Sequence, residues 1–318
     1  MSALGVVGHI AVVLNGSSGQ GESAKAADSL KEIFAAAGKE ARVSLAKGGA
    51  NIKAAMQRAV EEGCETLVAG GGDGTINTGA AAVLEKGIPL GVLPLGTLNH
   101  FAKDMGIPLE VEKAAKVVLE GVVCKVDVGE INGRVFLNNS SLGVYPAIVR
   151  LREQNRSRFG GKWIAALWAA LTVLRRNPFM AVRIVVEEKT IIRRTPLLLV
   201  ANNEYRMAGM NAGSRESLSK GHLALYVLNA ERRPGLLRLA AQLLVLGGDQ
   251  VEELDLLTVD EATVETKRRR IQVALDGEVT TMASPLHYRI RAGALRVHVP
   301  ADGSACYPHP PGPSSTRF

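Results

Sequence analysis

The chain has 318 residues, 47% of them hydrophobic, which predicts two domains with real cores and excludes a disordered protein. With 38 Lys and Arg against 31 Asp and Glu, its formal net charge is +7, which favours anionic partners such as nucleotides, nucleic acid or acidic membranes. Only 4% of the residues are aromatic, and no motif alternates basic and aromatic residues, so we do not expect nucleic acid as a partner.

The cysteines and the apolar segments indicate the compartment. Cys64, Cys124 and Cys306 are odd in number and far apart, a pattern that indicates neither a disulfide framework nor a zinc site of the CxxC type. The N-terminal segment lacks the basic region of an export signal. The longest nearly uncharged stretch, Trp163–Leu174, has 12 residues, and a membrane-spanning helix needs roughly 20. We therefore expect a cytoplasmic protein.

The first part of the chain, from His9 to about Asp127, alternates strand-like and helix-like segments. It begins with Ile10–Leu14, an unbroken apolar run that is typical of a buried parallel strand. The predicted strands are 10–14, 41–45, 66–69 and 88–93, and the predicted helices are 26–37, 51–62 and 75–85. This alternation predicts an α/β domain over residues 1–127 with a mostly parallel sheet, whose ligands bind at the carboxyl ends of the strands.

After Asp127 the pattern changes to paired strands. The first pair surrounds Asn132-Gly133, a dipeptide that suits a tight hairpin turn. Further strands are predicted at 182–186, 191–192, 197–200, 223–228, 257–266, 271–275 and 286–290, with helical insertions at 162–175 and 234–246. We expect a mainly antiparallel β domain over residues 128–302, whose last strand could pack back on the first domain. The proline-rich tail, 303–318, is predicted to be disordered.

Three polar or glycine-rich loops follow predicted strands of the first domain. The segment Gly70–Asn77 lies between a strand and a helix, where backbone amides and a helix N-terminus can together bind phosphate. It has no Walker lysine, so it is not a P-loop. The loops Leu93–Ala102 and Asn15–Gly19 follow other strands and are expected at the same sheet edge. His100, at a predicted helix start, is expected to be structural.

Three segments in this order carry a family resemblance: Gly71–Asn77, Pro94–Ala102 and Leu275–Glu278. Together they resemble the diacylglycerol kinase catalytic-domain family, which includes bacterial lipid kinases, sphingosine kinases and ceramide kinases. The resemblance extends to about Pro300. It implies a two-domain kinase that binds ATP and Mg²⁺ in an interdomain cleft. The nucleotide-binding residues that it implies are Asn15, Ser44, Gly71, Gly72, Asp73, Gly74, Thr75, Ile76, Asn77, Gly96, Thr97 and Asn99.

Phosphoryl transfer to a hydroxyl needs a carboxylate that accepts the proton. Asp276 and Glu278 can supply it, and the sequence leaves open which of them is the base. Asp73 is a third candidate, better suited to organising Mg²⁺ or the phosphates. The candidate ligands of the catalytic magnesium are Asp73 and Asp276.

One segment departs from the pattern of the bacterial relatives. Many of them carry aspartates that hold a structural Mg²⁺ at the position of Ser217–Lys220. Serine and lysine are poor ligands for this hard cation. We therefore expect the second metal site to be absent or altered.

Two features favour transient contact with an anionic membrane. The segment Trp163–Leu174 carries Trp163 and Trp168 and has basic flanks, a combination that suits the surface of a bilayer. Arg268–Arg270 could also meet lipid headgroups, although such residues are often only solvent-facing. Peripheral membrane association is therefore expected.

The function favoured by these features is ATP-dependent phosphorylation of a hydroxyl of diacylglycerol or a ceramide-like lipid. An NAD kinase is an alternative, because that family shares a Gly-Gly-Asp-Gly loop and Asn202-Asn203-Glu204 resembles another of its motifs. A regulator that binds nucleotide or lipid without catalysis is a second alternative. The sequence leaves open whether the protein is a monomer or a homodimer.

Overall fold

The computed structural model describes residues 9–17, 22–143, 179–205, 215, 217–228, 254–302 and 306. The elements from β1 to β5 are β1 (Ile10–Asn15), α1 (Glu22–Ala36), β2 (Ala41–Ala46), α2 (Gly49–Glu61), β3 (Thr66–Gly71), α3 (Asp73–Val83), a short 3-10 helix (Leu84–Lys86), β4 (Leu90–Pro94), α4 (His100–Asp104), α5 (Val111–Glu120) and β5 (Val122–Ile131). The later strands are β6 (Arg134–Phe136), β7 (Asn139–Gly143), β8 (Met180–Val186), β9 (Lys189–Thr195), β10 (Leu197–Asn202), β11 (Leu223–Leu228), β12 (Leu254–Val259), β13 (Glu261–Thr266), β14 (Arg270–Leu275), β15 (Glu278–Ala283) and β16 (Leu286–Val299).

The chain forms two compact units. The first comprises residues 1–128 and 292–308, and the second comprises 129–291 and 309–318. The division falls at Val128, next to the change of sequence pattern at Asp127. Strand β16 belongs to both units, because its residues up to Arg291 lie in the second unit and the remainder lies in the first.

The first unit is built on a parallel sheet with strand order β2-β1-β3-β4. The end of β16 adds to it in parallel, with Val297 paired to Leu90. Strands β1, β3 and β4 are buried along almost their whole length, as their unbroken apolar runs predict. The structure therefore confirms the α/β domain with a mostly parallel sheet.

Helix α3 lies unusually close to this sheet. A side chain on Gly79 would meet the Cβ of Ala69 at 2.9 Å and Leu90 at 3.1 Å, so only glycine permits this approach. The close packing fixes the position of α3 and, with it, the position of its N-terminus at the carboxyl edge of the sheet.

The second unit contains two antiparallel arrays of strands. One has the order β12-β11-β10-β7-β14-β15, and the other joins β9, β8, β13 and the first part of β16. Their apolar faces share one core, which includes Leu142, Val200 and Leu225 from the first array and Ile184 and Val264 from the second. The predicted antiparallel β domain is thus confirmed as a sandwich.

One predicted strand, 257–266, is wrong as a single element. The structure has two strands there, β12 and β13, separated at Asp260. Strand β12 pairs with β11, whereas β13 pairs with β8 and β16. The chain changes sheets at Asp260, which the alternating pattern of this segment does not reveal.

The cysteine pattern indicated no disulfide framework, and it missed one pairing. The structure joins Cys124 to Cys306 in a disulfide, with their Cα atoms 5.2 Å apart and 182 residues between them in the sequence. Cys64 is free and buried, and burial raises the pKa of its thiol. The separation of the partners explains why their spacing carried no signal.

Several predicted features lie outside the described residues. These are the helical insertions 162–175 and 234–246, the segment Trp163–Leu174, and the tail 303–318 apart from Cys306. In the part of the chain that is described, no helix has both the length and the apolar character needed to cross a membrane.

Candidate active site

Three loops of the first unit meet at the carboxyl edge of its sheet. They follow β1, β3 and β4, which are direct neighbours. The amide of Leu95 donates to the carbonyl of Gly71 at 3.0 Å, and Asn15 Nδ2 lies 3.4 Å from Thr75 Oγ1. The structure therefore brings together the loops that the sequence placed at this edge.

Glycines allow two of these loops to pack backbone against backbone. A side chain on Gly71 would collide with Thr75, whose Oγ1 would lie 2.5 Å from the new Cβ atom. A side chain on Gly96 would overlap the Cα of Gly72 and lie 2.7 Å from Asn99 Oδ1. Since real Cβ atoms do not approach other atoms this closely, glycine is required at both positions by contact.

Asn99 closes the loop that follows β4 through hydrogen bonds within that loop. Its side-chain oxygen accepts the amide of Gly96 at 3.0 Å, and its Nδ2 donates to the carbonyl of Gly96 at 2.9 Å. The residue is buried and has a φ of 50°, a left-handed conformation in which asparagine is favoured over most residues. The structure thus places Asn99 as the residue that shapes this loop, with its amide directed into the loop itself.

Asp73 begins α3 and links the loop that follows β3 to α4. Its Oδ1 accepts the amide of Phe101 at 3.2 Å. The amides of Thr75 and Ile76 donate to the carbonyl of Gly72. The amides ahead of them, at Asp73 and Gly74, lie at the helix N-terminus, where backbone donors have no intrahelical acceptor and favour anions.

The other predicted nucleotide-binding residues differ in exposure. Thr97 is exposed in the loop that follows β4. Ser44 is exposed on β2, where its hydroxyl donates to the carbonyl of Val12 at 3.3 Å. Ile76 is buried in α3, and Asn77 is half-buried. The structure therefore presents Thr97 and Ser44 to solvent, whereas Ile76 is a core residue that supports the helix.

Lys47 is a residue at this edge that the sequence reasoning missed. It follows β2, is exposed, and its aliphatic stem runs along Gly16, where a Cβ atom would lie 3.2 Å from Lys47 Cγ. It therefore brings a positive charge to a site that lacks a Walker lysine. The only sequence signal was a lysine two residues after the predicted strand 41–45.

The acidic turn of the second unit is a two-residue hairpin between β14 and β15. Asp276 and Gly277 have φ values of 46° and 87°, the positive values that a type I′ turn requires. The Asp276 carboxylate accepts the amides of Leu137, Asn138 and Asn139 at 2.8, 2.8 and 3.0 Å. It is thereby fixed against the backbone that leads into β7.

Arg215 supports the same segment and was also missed from the sequence. This buried side chain donates to Asn138 Oδ1 at 2.7 Å and to the carbonyl of Leu137. Burial raises the pKa of Asp276 to about 6, while the three amide donors and Arg215 act to lower it. Nothing near Arg215 in the sequence marks its role at this turn, because Leu137 and Asn138 are more than 70 residues away from it.

Glu278 differs from Asp276 in its surroundings. It is the first residue of β15, pairs in register with Leu275, and is exposed. The hairpin thus holds one carboxylate against the backbone and presents the other to solvent.

The segment Ser217–Lys220 contains two hydroxyls that bind each other. Ser217 Oγ and Ser219 Oγ are 3.0 Å apart, and the amide of Lys220 donates to Asn203 Oδ1 at 3.2 Å. Within the described ranges, no group of three or more His, Cys, Asp or Glu side chains forms a ready-made metal site. The expectation that a structural magnesium site is absent or altered at this position stays a prediction.

Comparison with known proteins agrees with this architecture. The profile of the diacylglycerol kinase catalytic domain matches residues 9–131, and that of the YegS C-terminal NAD kinase beta sandwich-like domain matches residues 141–299. A solved diacylglycerol kinase from Bacillus anthracis str. Sterne is similar in fold, with a TM-score of 0.66 at 17% identity over 92% of this chain and 96% of that one. Another chain from the same organism has a TM-score of 0.72 at 20% identity, over 92% and 97%.

Relatives similar in sequence bear the name "Probable lipid kinase YegS-like". The one from Pseudomonas aeruginosa strain PAO1 is 31% identical over 95% of this chain and 97% of its own length. That from Pseudomonas savastanoi pv. phaseolicola is 32% identical over 77% and 79%. These matches confirm the resemblance drawn from the three motifs and the expected enzyme class, phosphotransfer to an alcohol group. The chain belongs to the YegS-like, diacylglycerol kinase-related family of lipid kinases.

Proposed function

We propose that this protein transfers the γ-phosphate of ATP to a hydroxyl of diacylglycerol or of a ceramide-like lipid. The observation that carries the proposal is the meeting of three loops at the N-terminus of α3, where contact requires glycine at Gly71 and Gly96. Such a junction of bare backbone and helix N-terminus favours phosphate. Family membership supports a lipid as the acceptor.

The first unit binds the nucleotide in this proposal. The amides of Asp73 and Gly74 face the phosphates, and the exposed hydroxyls of Thr97 and Ser44 offer further hydrogen bonds. Asn15, whose side chain reaches Thr75, holds the loop that follows β3 in place. Lys47 supplies positive charge for the transferring phosphoryl group.

The residues present also suit Mg²⁺. This cation is bound in kinases by one or two carboxylates together with phosphate oxygens, and bound there it offsets the negative charge of the phosphates. Asp73 is the carboxylate at the phosphate edge, and only its Oδ1 accepts the amide of Phe101. We assign the role of magnesium ligand to Asp73 and not to Asp276, because all three amide donors around Asp276 already engage its carboxylate.

The proton acceptor in this proposal is Glu278. A general base must reach the acceptor hydroxyl, and Glu278 is exposed whereas Asp276 is turned toward the backbone amides. Asp276 then acts as a positioning residue. It fixes the turn, and through the turn it fixes the start of β15 where Glu278 lies.

Because the acceptor is a membrane lipid, we also propose peripheral membrane association. The enzyme must reach a hydroxyl at the bilayer surface, and no helix in the described part of the chain can span a bilayer.

A transfer assay tests the proposal. The purified protein is incubated with Mg²⁺ and γ-labelled ATP, and with diacylglycerol, ceramide and sphingosine in mixed micelles or with NAD. We expect label in at least one lipid and none in NAD, and we expect Glu278→Gln to slow the labelling by roughly 10² to 10⁴. Label in NAD alone would identify an NAD kinase instead. Transfer to no alcohol in the panel, with nucleotide binding intact, would favour a regulator without catalysis.

A further inference from the structure

One end of the β9-β8-β13 array collects basic residues from two separate segments. Strand β13 ends at Thr266, which pairs with Val182, and Val182 pairs with Arg193. Because neighbouring strands are antiparallel, the turn that follows Thr266 emerges at the same end as the last residues of β9. The residues that this register brings to one end are Arg193, Arg194, Lys267, Arg268, Arg269 and Arg270. We call them the basic end.

Within the described ranges, a carboxylate pairs with one of these six cations. Arg193 lies 3.5 Å from Asp255. Among the residues that the structure describes, Arg194 and the four residues of the turn 267–270 make no ion pair, and all five are exposed. Since like charges repel, their convergence lowers stability unless an anionic partner is present.

The turn is held in a fixed conformation. Thr266 Oγ1 donates to the carbonyl of Arg268 at 2.9 Å, and the amide of Ser284 donates to the carbonyl of Arg269 at 3.0 Å. These contacts use the backbone of the two arginines, so their guanidinium groups remain available to a partner. A rigid turn loses little conformational entropy when it binds.

Apolar side chains stand beside the arginines. Ile192 is 68% exposed and lies on the same face of β9 as Arg194, two residues further along. Arg194 in turn covers the ring of Phe179, with its Cζ 5.7 Å from the ring centroid. A large exposed aliphatic side chain within a cluster of cations suits the headgroup region of a bilayer, where both find partners, better than it suits the phosphates of a nucleic acid.

We propose that the basic end docks the second unit on an anionic membrane surface. The arginines contact lipid phosphates and carboxylates, and Ile192 enters the headgroup region. The choice of a membrane as partner rests on the proposed lipid kinase function. The convergence of basic residues at this end is independent of that function, because it follows from the strand register. The docking surface delivers the enzyme to a substrate that is confined to the bilayer.

Vesicle binding tests this surface. The double variant Arg268→Glu, Arg269→Glu is compared with wild type in co-sedimentation with phosphatidylserine–phosphatidylcholine vesicles. At roughly fivefold in partitioning per basic residue, we expect the variant to bind at least about 25-fold more weakly. The control is Lys39→Glu, Lys116→Glu, which changes the net charge equally at exposed positions of the first unit and should bind like wild type. Ile192→Ser should weaken binding without any change in charge.

Activity on two forms of diacylglycerol separates docking from catalysis. With a short-chain, monomerically dissolved diacylglycerol, the double variant in the turn 267–270 should phosphorylate substrate at the rate of wild type. With diacylglycerol in vesicles, its rate should fall in proportion to its weaker vesicle binding. Equal vesicle binding by wild type and the turn variant would overturn the docking surface and leave the kinase proposal intact. Binding of duplex DNA through the turn, with no vesicle binding, would also overturn it. Vesicle binding that depends on the turn, in a protein that phosphorylates no lipid, would support docking and refute the kinase proposal.

Discussion

Gly96 and Gly72, on loops that follow different strands, touch through their backbones, so that a single carbon added to Gly96 would overlap the Cα of Gly72. The contact joins the two loops that we assign to phosphate binding. Neither loop can change its path without moving the other, and the conformation of both depends on the absence of a side chain.

Substitution of Gly96 should therefore weaken nucleotide binding. In Gly96→Ala the new methyl group displaces the Gly71–Thr75 segment, and the amides at the start of α3 lose their alignment. We expect ATP affinity to fall tenfold or more, which corresponds to about 1.4 kcal/mol, as measured by isothermal titration calorimetry. The control is Gly49→Ala, because a Cβ atom there meets nothing within 4 Å and φ is not positive. Unchanged affinity in Gly96→Ala would show that this contact does not shape the site.

The two carboxylates of the acidic turn should respond differently to the loss of charge. Glu278→Gln should lower kcat by roughly 10² to 10⁴ and leave the melting temperature unchanged, because Glu278 is exposed. Asp276→Asn places an NH₂ group among three amide donors or leaves one of them unpaired, so it should lower the melting temperature as well as kcat. Thermal denaturation beside steady-state kinetics distinguishes the two. Full turnover by Glu278→Gln would refute its role as the base.

The disulfide should be detectable and should stabilise the first unit. The denatured, non-reduced protein should contain one reactive thiol, from Cys64. Reduction or Cys306→Ser should lower stability by roughly 2 to 4 kcal/mol, observed as a lower melting temperature. Cys64→Ser should keep the same response to reductant as wild type. Finding three reactive thiols in protein purified without reductant would contradict the bond.

Acid should destabilise the first unit through His298. Burial, and then the charge of Arg296, lowers the pKa of this residue from 6.5 to about 4, and its Nε2 lies 3.3 Å from Thr66 Oγ1. Between these values the unfolded chain takes up a proton that the folded chain does not, so stability falls as pH falls. From about pH 7 to about pH 5 the loss should be about 2 kcal/mol.

Urea unfolding of His298→Gln at the two pH values measures this contribution. The variant is expected to lose about 2 kcal/mol less than wild type over the same range, since glutamine does not titrate there. An identical pH dependence for both proteins would show that His298 titrates normally in the folded state.

The sequence was sufficient to predict that the three loops of the first unit lie together. Asn15, Gly71 and Gly96 each lie at or just after the carboxyl end of a strand of a parallel sheet, and the carboxyl ends of neighbouring parallel strands meet at one edge. The internal geometry of the loops was not predictable in this way. The hydrogen bonds of Asn99 to Gly96 depend on a left-handed backbone that only the folded loop reveals.

The acidic turn shows the same limit in the second unit. The Asp-Gly dipeptide indicated a turn, and family resemblance indicated its importance, but neither separated Asp276 from Glu278. The two carboxylates differ because the amides of Leu137–Asn139 bind that of Asp276, and these amides lie well over 100 residues earlier in the sequence. Arg215 and the Cys124–Cys306 bond escaped prediction for the same reason, because tertiary contacts between distant segments leave no local pattern.

The assignment of β16 to both units has a consequence during biosynthesis. The first unit is complete only when Ala292–Val299 are in place and Val297 pairs with Leu90 of β4, and these residues leave the ribosome after nearly all of the second unit. A nascent chain that ends at Val128 therefore has β4 without this neighbour and leaves the backbone groups of Leu90 open to other strands. Completion of the first unit must therefore wait until Val299 has been synthesised, which exposes the protein to aggregation in that interval.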